Sequence, residues 1–504
     1  MRAFDLWDFI SPMTGRFSRR LFLGGLGASL IPVAGLAQAP LVSLRPRARG
    51  VLLSGTERLV AAAGLKGEVV FAVADVATGA PLENFGEGAG LPPASVGKAM
   101  TALYALDVLG PDHRFETRLI ADGPIENGIL HGDLILAGGG DPLLDTDALA
   151  TMAANLRKAG ITEVRGAFKV YDGALPFVFS IDPGQPDHVG YSPAISGISL
   201  NFNRVHFEWK RAGKGYDVTM DARSARYVPA VDVATMRVES RSLPIYTYQP
   251  SPRQDRWTVA KGALGNGGAR WLPVRKPALY AGDVFRTLAR SNGIVLNRVQ
   301  VTRESPKGVD LVLHRSDPLD SILRGMLKYS TNLTAEMVGL AATKARGVDP
   351  RNLAESAAEM NRWASQSFGV SGIAMVDHSG LGDASRMVPA DLVAALVAAR
   401  KMGALRPLMK PFALTDRNGR PVKNHPIKVD AKTGTLNFVS GLGGFLTTAD
   451  GVDLAFAIFT ADVAHRAKIP RAQRERPEGA RSWNRRSRKL QRALLERWGS
   501  LYGS

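Results

Sequence analysis

The distribution of apolar and polar positions divides the chain into recognisable elements. Residues 67–90, GEVVFAVADVATGAPLENFGEGAG, hold two short apolar runs around Ala77-Thr78-Gly79, which predicts a β-hairpin. Pro92 and Pro93 end it, and Val96, Met100, Leu103 and Leu106 or Leu109 then recur at helical spacing. Residues 428–462 predict three consecutive strands, with turns at Gly441 to Gly444 and at Ala449-Asp450-Gly451. Leu490, Leu494, Trp498 and Leu501 then mark one face of a final helix packed on a sheet, with its arginines in solvent. Residues 116–265 differ: strand-like runs flank a helical TDALATMAANLRKAG, and loops rich in glycine, proline and tyrosine follow. From about residue 274 the pattern is helical again, so 116–265 reads as an insertion separating two halves of one domain, 40–115 and 266–504.

Composition adds limits. At 504 residues the chain is long enough for two or three cores, and 45% apolar with 22% charged residues is ordinary for folded protein. The formal charge of +18 is concentrated near the C-terminus, where twelve Lys and Arg between Arg466 and Arg497 face three acidic residues. No zinc pattern, aromatic strand motif or basic leucine zipper accompanies them, which argues against nucleic acid and for a solvated tail or contact with an anionic envelope. The absence of cysteine excludes disulfides, thiolate metal sites, a cysteine nucleophile and a lipoprotein anchor. The eight histidines lack ligand spacing, so neither metal nor other cofactor is expected.

The segment FSRRLFLGGLGASLIPVAGLAQA, residues 17–39, combines Arg19-Arg20, a short glycine-rich apolar run and a closing Ala-Gln-Ala. It resembles a twin-arginine export signal, implying removal of residues 1–39 and a periplasmic destination. No later apolar run is long enough to span a bilayer.

The candidate chemistry starts at PPASVGK. Ser95 and Lys98 are three apart at a helix start, where unpaired backbone N–H groups can stabilise an oxyanion and a desolvated lysine can serve as base. Ser-x-x-Lys occurs once, as does Lys-Thr-Gly at Lys432, Thr433 and Gly434. Serine enzymes that react with penicillin combine these with a Ser-x-Asn element. That pattern occurs three times; Ser199/Asn201 falls in the insertion and Ser482/Asn484 after Lys432, which leaves Ser330 and Asn332, between helical runs.

PPASVGK, MLKYSTNLTAEM and DAKTGT, in this order, resemble the serine-type D-alanyl-D-alanine carboxypeptidase/endopeptidase family, the low-molecular-mass class C penicillin-binding proteins. HGDLILAGGGDPLL, YSPAISGISLNFN and MVDHSGL are similar to further signatures of that family, so the resemblance covers nearly the whole chain after the export segment. It implies an α+β fold, a penicillin-binding/β-lactamase-like transpeptidase domain with an antiparallel sheet flanked by helices, plus one or two smaller α/β domains from the insertion. It also implies that Ser95 is acylated by a peptidoglycan stem peptide or a β-lactam, with Lys98 as base, Ser330 as proton relay, Asn332 on the substrate amide and Lys432 beside Ser330. Thr433, Gly434 and Thr435 would bind the terminal carboxylate and complete the oxyanion hole, and Asp172 would meet the amino end of diaminopimelate. The chain departs from the family pattern at His378 and Gly382, which puts the lining near Leu381 in question.

Asp377-His378-Ser379 holds the residue types of a hydrolase triad, but adjacent residues cannot project onto one another, so a loop is expected. Gly138-Gly139-Gly140-Asp141 lacks the Lys-Ser/Thr of a phosphate loop and reads as a turn. A β-lactamase and a non-catalytic wall-binding protein of the same fold are the alternatives; the chain is longer than a β-lactamase, and the intact serine and lysine positions oppose the second.

Overall fold

The N-terminal hairpin and the last three long strands share one antiparallel sheet. A computed structural model describes residues 49–416 and 419–503; the export segment at 17–39 lies outside them. The sheet order is Lys410–Pro411, Lys428–Leu436, Val439–Thr447, Asp453–Ala461, Glu68–Asp75, Pro81–Phe85, with Glu68 opposite Ala461 and Asp75 opposite Leu454. Strand residues alternate between faces, and here both faces are covered. Leu454, Phe456 and Ile458 join Leu490, Leu494 and Trp498 of the Ala480–Leu501 helix in one cluster. Ala455, Ala457 and Phe459 pack on the other side, against the helices Lys98–Leu109, Leu319–Tyr329, Asn332–Ala345, Leu353–Phe368 and Pro389–Met402. Such double burial explains why Asp453–Ala461 reads as a continuous apolar run.

The glycines at 441–444 make no turn. They lie within Val439–Thr447, and the reversal is at Asn437-Phe438, where Phe438 takes a left-handed φ of 57°. They serve close packing: a Cβ at Gly441 would stand 3.0 Å from the Pro93 carbonyl oxygen, and one at Gly443 3.0 Å from the Val96 side chain. The segment carrying Ser95 thus lies directly on this strand.

A second layer is built on a five-stranded sheet of order Val299–Thr302, Phe168–Tyr171, Asp133–Gly138, Glu116–Asp122, Val309–Arg315. Its first two neighbour pairs are parallel and the other two antiparallel. The helices Thr146–Lys158 and Pro277–Ser291 and three three-stranded sheets join it around one apolar cluster. The sequence boundary at 265 therefore falls inside this layer. The helical pattern after 274 belongs to Pro277–Ser291, which packs here, and two strands of the sheet follow it. Chain entry and exit adjoin: Phe115 and Ser316 exchange backbone N–H donation, Ser316 N to Phe115 O and Phe115 N to Ser316 Oγ, both at 2.9 Å.

The basic C-terminal segment is no solvated tail. Arg466 and Arg474 pair with Asp383, Arg471 pairs with Asp187 at 2.7 Å, and Glu475 receives Arg270 at 2.9 Å. Arg481, Arg485, Arg486 and Arg488 are exposed on the final helix, as its pattern predicts, whereas Arg497 pairs with buried Glu83. Among the described residues no helix is long and apolar enough to cross a membrane.

Candidate active site

The two prolines deliver the chain from sheet to helix through Ala94, held at a left-handed φ of 47°, and a short 3₁₀ turn, Ala94–Gly97. Backbone strain of this kind persists only where packing enforces it; Ala94 is fully buried, with its carbonyl against Gly380. The turn leaves Ser95 half-buried and places Lys98, wholly buried, at the start of Lys98–Leu109.

Lys98 Nζ donates to three oxygens: Ser95 Oγ at 3.0 Å, Asn332 Oδ1 at 2.7 Å and the Ser379 carbonyl at 2.8 Å. Asn332 Nδ2 donates to the Tyr191 carbonyl at 2.9 Å, which fixes the amide so that its oxygen faces the lysine. Ser330 closes Leu319–Tyr329 in the left-handed conformation, φ 60°, and Asn332 opens the next helix. That break directs Ser330 Oγ to the strand Lys428–Leu436, where Lys432 Nζ donates to it at 2.9 Å and to the Thr433 carbonyl at 2.6 Å. Thr433 and Thr435 are exposed, while the intervening Gly434 is buried against the site-bearing turn. A Cβ at 434 would come within 2.7 Å of the Pro93 carbonyl oxygen and 3.0 Å of the Ser95 nitrogen.

Burial governs both lysines. It pulls Lys98 down to about 8, against the opposing charges of Glu336 and Asp377. It also pulls Lys432 well below its ordinary value, helped by the like charges of Lys98 and Lys410. A lysine brought down to about 8 keeps a fraction of free base near neutral pH, which suits Lys98 to the role of base.

The loop carrying Asp377-His378-Ser379 forms no triad, yet it lines the site through its backbone. Asp377 accepts from Gly380 and Gly382 N–H, each at 2.6 Å, and Glu336 accepts from His378 and Ser379 N–H, each at 2.9 Å. Sequence reasoning passed over Glu336, although its position four residues after Asn332 places both on one helical face. His378 points inward: its ring meets Ser356 Oγ at 2.7 Å and lies over Gly339, where a Cβ would stand 2.2 Å from the ring. Burial pushes it down to about 3, so the ring is neutral near pH 7.

Asp172 stands apart from this bonded set. It follows the strand Phe168–Tyr171, is 7% exposed rather than open, and pairs with Arg303 at 3.3 Å; burial pushes its carboxyl up against that charge. Of the other Ser-x-Asn matches, Asn201 donates to Thr146 Oγ1 in the second layer and Asn484 to the Leu436 carbonyl.

Residues 56–478 match the D-Ala-D-Ala carboxypeptidase 3 (S13) family. The chain is 28% identical over 426 residues to a D-alanyl-D-alanine carboxypeptidase of Actinomadura sp. (strain R39), covering 77% of this chain and 76% of that protein. It is 27% identical over 414 residues to the D-alanyl-D-alanine carboxypeptidase DacB of Haemophilus influenzae, covering 76% and 84%. Its fold matches the crystal structure of penicillin binding protein 4 (dacB) from Haemophilus influenzae with a TM-score of 0.71 at 20% identity, over 87% of this chain and 99% of the other. The same protein is known in complex with a β-lactam, with a TM-score of 0.68 at 21% identity over the same shares of the two chains. The antiparallel sheet between helices, the Ser95/Lys98 turn and the matched span together make this chain a member of the D-Ala-D-Ala carboxypeptidase 3 (S13) family of serine-type peptidases.

Proposed function

We propose that the protein is a D-alanyl-D-alanine carboxypeptidase that trims peptidoglycan stem peptides through a Ser95 acyl-enzyme, binds penicillin at the same serine, and works in the periplasm after export by the signal at 17–39. One observation carries the mechanism. Two of the three partners of Lys98 Nζ, the Asn332 amide oxygen and the Ser379 carbonyl, can only accept hydrogen bonds, so they hold N–H groups in every protonation state. In the free base the remaining position, toward Ser95 Oγ, carries the lone pair, and the serine hydroxyl becomes the donor.

The steps follow from that geometry. Ser95 Oγ attacks the carbonyl of the penultimate D-alanine while its proton passes to Lys98. The tetrahedral oxyanion forms at the backbone N–H groups of Ser95 and Thr435. Collapse breaks the peptide bond, and the leaving amine takes the proton from Lys98, relayed by Ser330 beside the positive charge of Lys432, which returns Lys98 to the free base. Water then attacks the ester, giving its proton to Lys98, and the free carboxylate and Ser95 hydroxyl are restored. Thr433 and Thr435 receive the substrate carboxylate beside Lys432. Residues 116–315 act as one inserted domain, and Asp172, already facing Arg303, receives the diaminopimelate amine, which extends the activity to D-Ala-diaminopimelate crosslinks.

Labelled penicillin should attach covalently to the protein and Ser95→Ala should abolish labelling; equal labelling of the variant would refute the assignment. Release of D-alanine from a pentapeptide, compared with opening of a crosslinked dimer, reads the two peptidase activities. Asp172→Asn should impair substrates with a free diaminopimelate amine more than those without. Rapid turnover of the penicillin itself would mark a β-lactamase instead.

A further inference from the structure

We propose that Glu336 is a positioning residue of the acylation site: holding the amides of His378 and Ser379, it sets the Ser379 carbonyl against Lys98 and provides the buried counter-charge of that ammonium. The proposal rests on Lys98 being the base of the reaction above.

Glu336 is fully buried, and both its oxygens accept main-chain N–H groups at 2.9 Å from consecutive residues. The second of those residues presents its carbonyl to Lys98 Nζ at 2.8 Å. A short path therefore runs from the carboxylate through the backbone of one residue, Ser379, to the base. Two converging N–H donors suit a carboxylate, which is acceptor-only at both oxygens; an amide in its place would turn an NH₂ toward one of them. A purely structural acceptor would not need a charge, and burying one is costly unless a counter-charge stands near.

That counter-charge is Lys98. From the loop, Glu336 and Lys98 also face Asp377, whose oxygens are held by Gly380 and Gly382, and the neutral His378 ring. From the sheet, Lys432 adds positive charge toward Lys98, with Lys410 behind it, and Asp182 lies beyond Asp377. Burial and Asp377 push Glu336 up from its ordinary value, while the two amides and Lys98 hold it toward the carboxylate. Lys98 is itself brought down to about 8, so the two titrate as a pair.

The test is the pH dependence of the acylation rate with a labelled penicillin, measured for the wild type, Glu336→Gln and Glu336→Asp. The wild-type rate falls on the acid side of about pH 8 as Lys98 takes up its proton. Glu336→Gln removes the negative charge that favours the ammonium, so its acid limb moves to lower pH by about one unit or more, and loss of alignment lowers its plateau roughly ten- to a hundred-fold. Glu336→Asp keeps the charge and loses reach, so its limb stays while its plateau falls. A Glu336→Gln enzyme that is slower but has an unmoved limb would reduce Glu336 to scaffolding and overturn the proposal.

A reciprocal measurement does not require any Glu336 variant to fold. In protein labelled with ¹³C-glutamate, which separates glutamate from Asp377 in the infrared, Lys98→Met must shift a buried glutamate carboxyl titration to higher pH. An unchanged titration refutes the coupling. Failure of the Ser95→Ala control would instead sink the catalytic reading on its own, so the two failures are distinguishable.

Discussion

At the scale of single residues, the site consists of two lysines of opposite duty, each desolvated and each with a hydroxyl partner. Lys98 meets Ser95 and Lys432 meets Ser330, both at about 3 Å. Their mutual repulsion is useful, because two ammonium groups so close disfavour one another and ease proton loss from a Lys98 that burial already brings down to about 8. Lys432→Met should consequently move the acid limb of acylation to higher pH, opposite in sign to Glu336→Gln, because the ammonium of Lys98 is no longer disfavoured. It should also slow acylation about a hundred-fold by removing the positive charge that holds Ser330 as the proton relay. Stopped-flow penicillin labelling across pH reads both effects, and a limb displaced to lower pH would contradict the electrostatic account.

At the scale of elements, the site depends on places where side chains are missing. Gly339 leaves room on the Asn332–Ala345 helix for the His378 ring, and the same helix supplies Asn332 and Glu336. Gly339→Ala would drive a methyl into that ring, with a destabilisation of about 1–3 kcal/mol expected for overpacking. His378→Ala alone leaves a cavity and removes the Ser356 bond. The double variant should recover part of the Gly339→Ala loss, so the two costs are not additive. Thermal unfolding of the single and double variants measures it, and strict additivity would show that ring and helix are not in conflict. The His378 departure from the family pattern thus has a local physical counterpart, an inward-facing ring behind the loop that Leu381 continues, and Leu381 itself is buried.

At the scale of the whole molecule, the segment after the last sheet strand ties the second layer to the first. Arg471 reaches Asp187, and Glu475 accepts from His188 at 2.7 Å and Arg270 at 2.9 Å. The His188 hydrogen bond leads in lowering Glu475 to about 2 from an ordinary 4.5. A carboxyl depressed on folding stabilises the protein above its unfolded pKa, and that stability is lost as pH falls through the folded value. The difference in unfolding temperature between wild type and Glu475→Gln should therefore be full above about pH 4.5 and shrink toward pH 2. A difference independent of pH would mean the contact is steric. This bridge also explains why the basic segment could not be recognised as structural from composition: its partners, Asp187, His188, Arg270 and Asp383, are more than eighty residues away in the chain.

Local spacing sufficed for the local elements. The hairpin, the helix after the prolines and the terminal helix all rest on patterns within about twenty residues, where periodicity and turn chemistry act directly. The same local signals misplaced the turn at Gly441–Gly444 and the end of the insertion at 265. A glycine needed for close approach looks like a glycine needed for a turn, and a helix carries no mark of the sheet it covers. The folded chain alone decides which distant groups converge. The Ser379 and Tyr191 carbonyls reach the Lys98 network through backbone atoms, which leave no periodic trace in sequence, and the helical spacing of Glu336 from Asn332 marks its face but not its buried charge beside Lys98.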